Sequence, residues 1–249
     1  MANYDWKWLN SILPAILLVA VLVATSPGWR LPAMAQAGDK PPVYSARATG
    51  SFSAQVPIAW FDLAYELVRD ERLSPPVAAR IYGYSGVTLY EAVVPGMPGY
   101  QSLAGQLNGL SELPGANGEA YYWPVVANSA LATMMKELFA GGSSVSLAEI
   151  VGLEAALDAQ FAGAMPPGIH RRSVSRGRAI GNAMAAWSRT DGYQALYNCA
   201  YTPPVGPGLW VPTLPAFAPA LEPCWGQMRS FVMPAGDACD PGLPPAYSE

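Results

Sequence analysis

Three observations predict an all-α fold for this chain. Five stretches between residues 55 and 197 carry apolar side chains at helical spacing. Proline, serine and glycine signals that start and stop helices bound most of them. No run of alternating apolar and polar residues competes with them as a strand. The architecture expected is a bundle of about five helices followed by a long Pro/Gly-rich C-terminal strap.

The first helix is expected over about 57–72, where Trp60, Leu63 and Leu67 join Phe61, Ala64 and Val68 in one apolar stripe. Ser74 is the N-cap expected for the second, with Pro75 and Pro76 in its first turn and Pro95-Gly96 as its stop. A third occupies about 124–139 and ends before Gly141-Gly142. Ser146-Leu-Ala-Glu149 reads as a capping box opening the fourth, which runs to about residue 161. The fifth, about 169–189, ends at Asp191-Gly192. Within it Gly177, Gly181 and Ala185 recur every four residues, the spacing of a close helix–helix contact. Arg176, Arg178 and Asn182 interrupt that face, so a contact inside a soluble domain is expected.

Ahead of the bundle, residues 1–35 read as a secretory signal peptide. Lys7 gives a weak positive start, 12–24 is an apolar run apart from Pro14, and Ala33-Met34-Ala35 is a small-x-small cleavage site. The run is shorter than the roughly 20 residues a membrane span needs. An uncleaved anchor is the alternative reading and the one route to a membrane. The expected location is secreted or periplasmic, with 36–54 a linker and 55–197 the helical domain. The net charge of −4 supplies no basic field for nucleic acid. Only 13% of residues are charged and 51% are hydrophobic, so the chain is expected either to bury an unusually large share of itself or to leave apolar surface for something else to cover, a second copy of the chain included.

In the strap, 198–249, 16 of 52 residues are Pro or Gly, which leaves no helical or strand period. Trp210, Phe217, Trp225 and Phe231 are expected to anchor it by burial across the helices. Cys199, Cys224 and Cys239 all lie in it; one disulfide and an odd thiol are expected, with the pairing open. The final residues form no closing element, and the chain is expected to continue into a further half.

Candidate chemistry is sparse. Asp62, Glu66 and Asp70 share one helix face, but Arg69 and Arg72 lie close enough to pair with them, and a solvated face is expected. The most basic stretch is His170, Arg171, Arg172, Arg176 and Arg178. Arg172 and Arg176, one turn apart near a helix N-terminus, are weak candidates for clamping an oxyanion. His170 is the chain's one histidine and the sole base available to a serine nucleophile. No Gly-x-Ser-x-Gly elbow accompanies it, so no catalytic residue and no metal ligand is assigned.

Three segments carry a family resemblance: Ala79-Arg-Ile-Tyr-Gly-Tyr-Ser-Gly-Val-Thr-Leu-Tyr-Glu-Ala-Val-Val94, Gly177-Arg-Ala-Ile-Gly-Asn-Ala-Met-Ala-Ala-Trp-Ser-Arg-Thr-Asp-Gly192, and the strap with Trp210-Val-Pro-Thr-Leu-Pro215 and Glu222-Pro-Cys-Trp-Gly226. They resemble the bacterial vanadium-dependent haloperoxidase-like proteins of the type 2 phosphatidic-acid phosphatase superfamily. The chain departs from that pattern at Glu91, where Asp is usual, and at Leu214, where Pro is usual.

The resemblance implies a vanadate cofactor for a full-length member, bound by Lys, Arg-Pro, Ser-Gly-His and an Arg followed six residues later by His. None of these stands here: there is no Arg-Pro, Ser85-Gly86 is followed by Val87, and Asn182 stands six residues after Arg176. The reading is therefore an N-terminal helical region that is inactive alone, has no cofactor of its own, and partners the C-terminal catalytic half. Halide oxidation by peroxide and phosphate-ester hydrolysis both stay open for the whole. The alternative is a self-standing secreted binding module that uses the aromatic strap.

Overall fold

The computed structural model describes residues 47–116, 118–234, 238–239 and 242. The expected signal at 1–35, most of the linker and the last residues of the strap lie outside this set.

Helix α1 (Gln55–Asp70) buries Val56, Trp60, Leu63, Ala64 and Leu67, the expected stripe. Helix α2 (Pro75–Val93) starts as predicted: the Ser74 hydroxyl accepts from the Val77 N–H, and both prolines sit where no helical N–H donor is needed. Helix α3 (Trp123–Leu138) is buried on nearly every side, which makes it the central helix. Helices α4 (Ser144–Gln160) and α5 (Pro167–Ser188) complete the bundle, and a single turn, α6 (Tyr193–Leu196), follows. No strand occurs among the described residues, so the all-α class holds.

α3 packs on α5 more extensively than any other pair, and also touches α1, α2 and α4. The glycines explain the approach. A Cβ on Gly177 would stand 2.7 Å from the Ser129 Cβ, and one on Gly181 would stand 2.5 Å from the Thr133 Cβ and 2.8 Å from the Ala130 carbonyl. Those distances are closer than packed carbons tolerate, so only glycine lets the two backbones meet.

α4 begins one turn earlier than the capping box predicts. Ser143 is the cap, its hydroxyl accepting from the Ser146 N–H at 3.1 Å. Ser146 lies inside the first turn, where its hydroxyl donates to Glu71 Oε1 at 2.5 Å, and the Ser143 N–H donates to the same oxygen at 2.7 Å. A carboxylate arriving from the end of α1 thus takes the place that the local Glu149 would have filled.

The stretch before α1 is docked where it is described. The Thr49 hydroxyl donates to the Val93 carbonyl at 2.9 Å, and Trp123 Nε1 donates to the Arg47 carbonyl at 2.9 Å.

The strap differs from expectation in its first half. Trp225 and Phe231 pack on the bundle, but Trp210 is 49% exposed and Phe217 is 60% exposed. Seven prolines between 203 and 223 remove donors and stiffen the segment. Among the described residues the main chain of 200–221 hydrogen-bonds only within itself. The Cys199–Cys224 disulfide ties its two ends at a Cα separation of 6.3 Å, and Cys239 is free and exposed. The outcome is a disulfide-closed loop standing off the helices, followed by a docked tail.

Candidate functional site

The docked tail is held at the corner where α5 turns into α6. Gly192 makes that corner with a φ of +91°, a left-handed conformation that a side chain resists. Asp191, just before it, is 2% exposed and serves three elements. Its Oδ2 accepts from Arg80 Nε of α2 at 2.7 Å, its Oδ1 accepts from the Tyr193 N–H at 2.9 Å, and its carbonyl accepts from the Arg229 N–H at 2.9 Å. Arg80 also donates to the Ser188 carbonyl at 3.0 Å and lies over the Tyr193 ring at 4.4 Å.

Arg229 carries the tail side of the clasp. Its guanidinium donates to the Thr190 hydroxyl at 2.7 Å, the Trp187 carbonyl at 2.8 Å and the Tyr84 hydroxyl at 3.1 Å, and stacks over Trp187. Phe231 then closes an aromatic triad, 5.1 Å from both Tyr84 and Trp187. Asn108, from the loop between α2 and α3, seals the far side by donating to the Met233 carbonyl at 2.7 Å and the Ser230 carbonyl at 3.1 Å. Burial, and then the Asp191 charge, push the Tyr84 hydroxyl up to about 12; burial does the same to Tyr193, also to about 12.

Between the standing loop and the bundle lies an open cradle of about 930 Å³, walled by Trp210, Phe217, Tyr201 and Leu221 from the loop and by the α1–α2 turn at 71–75. The Ser74 hydroxyl reaches Glu222 Oε1 at 3.1 Å across its floor. Five exposed large apolar side chains, Tyr197, Tyr201, Trp210, Phe217 and Leu221, line this cradle.

The predicted site residues lie elsewhere. Arg172 pairs with Glu119 at 2.9 Å and donates to the Ala120 carbonyl at 3.2 Å. Arg176, 6% exposed, donates to the Pro114 and Gly115 carbonyls at 3.1 and 2.9 Å and lies over Tyr121. Burial pulls its guanidinium below the ordinary arginine value. Both arginines therefore pin the loop ahead of α3, and as arranged they do not fit a phosphate or vanadate, because their donors are turned onto carbonyls and a carboxylate. His170 Nε2 lies 2.7 Å from Asp158 Oδ1. Asp62, Glu66 and Asp70 are exposed, with Glu66 paired to Arg69 at 3.0 Å. Among the described residues no three His, Cys, Asp or Glu side chains gather as metal ligands, and no helix is long and apolar enough to cross a membrane.

Glu91, the departure from the family pattern, is buried. Its Oε1 accepts from the Leu103 N–H at 2.6 Å and its Oε2 from the Ser102 hydroxyl at 2.7 Å. The carboxylate fastens the loop after α2, a role that the sequence alone did not reveal. Asp191, Arg229 and Asn108 were equally invisible as a group, since their partners lie up to 145 residues away.

The chain matches no protein-family model, and no curated protein matches it. Among solved structures it is similar to one described as the crystal structure of the first bacterial vanadium-dependent iodoperoxidase. The two share 31% identity over 78% of this chain, with a TM-score of 0.67. The fold is haloperoxidase-like. The matched part spans 45% of the iodoperoxidase chain, less than half of its length.

Proposed function

We propose that this chain is the helical, non-catalytic part of an exported vanadium-haloperoxidase-like protein. The observation that carries the reading is the likeness to a vanadium-dependent iodoperoxidase at 31% identity over 45% of that chain. In this reading the bundle is a scaffold, and the standing loop and its cradle wall the approach to a catalytic half that supplies the vanadate site. Vanadate there would activate peroxide toward a halide; phosphate-ester hydrolysis is the alternative activity of the whole. The residues of this chain bind no oxyanion and move no proton in the reaction. Their contribution is positional: the Arg80–Asp191–Arg229 clasp holds the tail, and the disulfide holds the loop. A disulfide in the strap agrees with export to an oxidising compartment.

Exposure of Trp210 and Phe217 favours a second reading, a self-standing secreted module that binds a partner in the cradle. Activity separates the two. Produced with a downstream catalytic half, the protein should oxidise iodide or hydrolyse a phosphate ester, and Trp210→Ala should change KM with little change in kcat. A Trp210→Ala variant that leaves both constants unchanged counts against a wall at the entrance. Full activity of a catalytic half produced without this chain would refute the scaffold reading.

A further inference from the structure

Asn108 and Gly109 are the central residues of a turn in which the Leu110 N–H donates to the Leu107 carbonyl at 3.1 Å. Two features call for glycine at its third position. The φ of Gly109 is +73°, which disfavours a side chain, and a Cβ there would stand 2.7 Å from Arg229 Nη1. Asparagine is needed beside it for its donors. Its Nδ2 donates to the Met233 and Ser230 carbonyls at 2.7 and 3.1 Å, which an ionised carboxylate cannot do. The clasp thus places Asn-Gly where the tail docks. In that dipeptide the side-chain amide is most open to attack by the next main-chain nitrogen, because glycine puts no side chain in the way.

While the tail is docked, that attack is blocked. The Asn108 N–H donates to the Phe231 carbonyl at 2.8 Å, and Trp187 Nε1 donates to the Asn108 carbonyl at 2.9 Å. With Nδ2 also bound, Asn108 is gripped through both main chain and side chain, and its Cγ cannot swing over the Gly109 nitrogen. All of these bonds but the one from Trp187 come from the tail. Gly109 itself is exposed, so water reaches the turn.

We propose that Asn108–Gly109 is a modification site gated by the tail, and that its modification makes release of the tail irreversible. When 230–233 lifts away, the amide is free to rotate. The Gly109 nitrogen then attacks Asn108 Cγ and gives up its proton, the Cγ–Nδ2 bond breaks, and ammonia leaves. Water opens the resulting cyclic imide at either carbonyl, which gives aspartate or isoaspartate at position 108. Water is consumed, ammonia is released, and no oxidant or reductant is needed. The new carboxylate faces the Ser230 and Met233 carbonyls as a third acceptor with no hydrogen to share, so the tail cannot redock as before. This inference rests on the clasp and stands apart from the functional reading above.

Incubating the full chain at mildly alkaline pH, then digesting it after glutamate, tests this. Cuts after Glu91, Glu112 and Glu119 put Asn108 in fragment 92–112 and Asn117, which also precedes a glycine, in fragment 113–119. Mass spectrometry reads amide hydrolysis in each. In urea the two sites should convert at comparable rates. In the folded chain Asn108 should convert more than about tenfold more slowly than in urea, since local opening must come first. Phe231→Ala, which removes the tail's aromatic anchor, should speed both conversion of Asn108 and tryptic cleavage after Arg229, whose guanidinium the docked clasp holds. Asn108→Asp should be cleaved after Arg229 faster than the parent while its circular dichroism matches the parent's. Equal rates at Asn108 in the folded chain and in urea overturn the gating. So does a Phe231→Ala chain in which cleavage rises without conversion, or in which neither rises. An Asn108→Asp chain as resistant to trypsin as the parent overturns the irreversible release.

Discussion

Arg80 Nε donates to Asp191 Oδ2 at 2.7 Å, joining the middle of the chain's second helix to the corner that ends its fifth. The pair is almost fully enclosed, with 11% and 2% of the two side chains exposed. Desolvation makes such a contact costly to half-remove, because the surviving charge stays buried without its partner.

Asp191→Ala should therefore destabilise the chain by about 3–5 kcal/mol, losing both the Arg80 pair and the bond from the Tyr193 N–H. Urea denaturation measures this. Asp62→Ala, on the exposed face of α1, should fall within about 0.5 kcal/mol of the parent.

Sequence periodicity was enough for the five helices, since apolar spacing and flanking Pro, Ser and Gly act locally. It misplaced the start of α4 because the groups that decide it, Glu71 with Ser143 and Ser146, come from two helices. Aromatic content also could not distinguish Phe231, which meets Tyr84 and Trp187, from Phe217, which meets mainly solvent. A Pro-rich segment shows that it will not form helix; it does not show which of its rings has a pocket. Asp191 was legible as a helix stop and nothing more, because Arg80 lies 111 residues away.

Two glycines on neighbouring helices should respond oppositely to alanine. Gly181→Ala, with the Thr133 Cβ 2.5 Å from the added carbon, should cost about 1–3 kcal/mol through overpacking. Gly152→Ala, in α4 with no atom within 4 Å of the added carbon, should stabilise by about 0.5–1 kcal/mol. Thermal midpoints of the two variants read both signs at once.

The strap should lose stability only where it docks. Phe231→Ala should cost about 3 kcal/mol, and Trp210→Ala less than about 0.5 kcal/mol, by chemical denaturation of the oxidised chain.

Alkaline pH should loosen the clasp. Tyr84 and Tyr193 are both raised to about 12 in the folded state, against about 10 in an unfolded chain. Their neutral forms are favoured by folding, so this contribution is complete below about pH 10 and is lost as pH rises through about 12. Phenolate absorbance should show Tyr84 and Tyr193 among the late-titrating tyrosines, with Tyr82 and Tyr122 also raised by burial, and Tyr84→Phe should remove one late titration. Ordinary titration of all tyrosines would contradict the burial assigned to this corner.

In the proposed scaffold role this chain's own residues hold no oxyanion, since Arg172 and Arg176 are committed to Glu119 and to the carbonyls of residues 114, 115 and 120. Vanadium NMR of the full chain titrated with vanadate tests this most directly. Free-vanadate signals should persist throughout, unchanged by Arg172→Ala or Arg176→Ala. Saturable binding of one vanadate per chain, lost on substitution of either arginine, would contradict it.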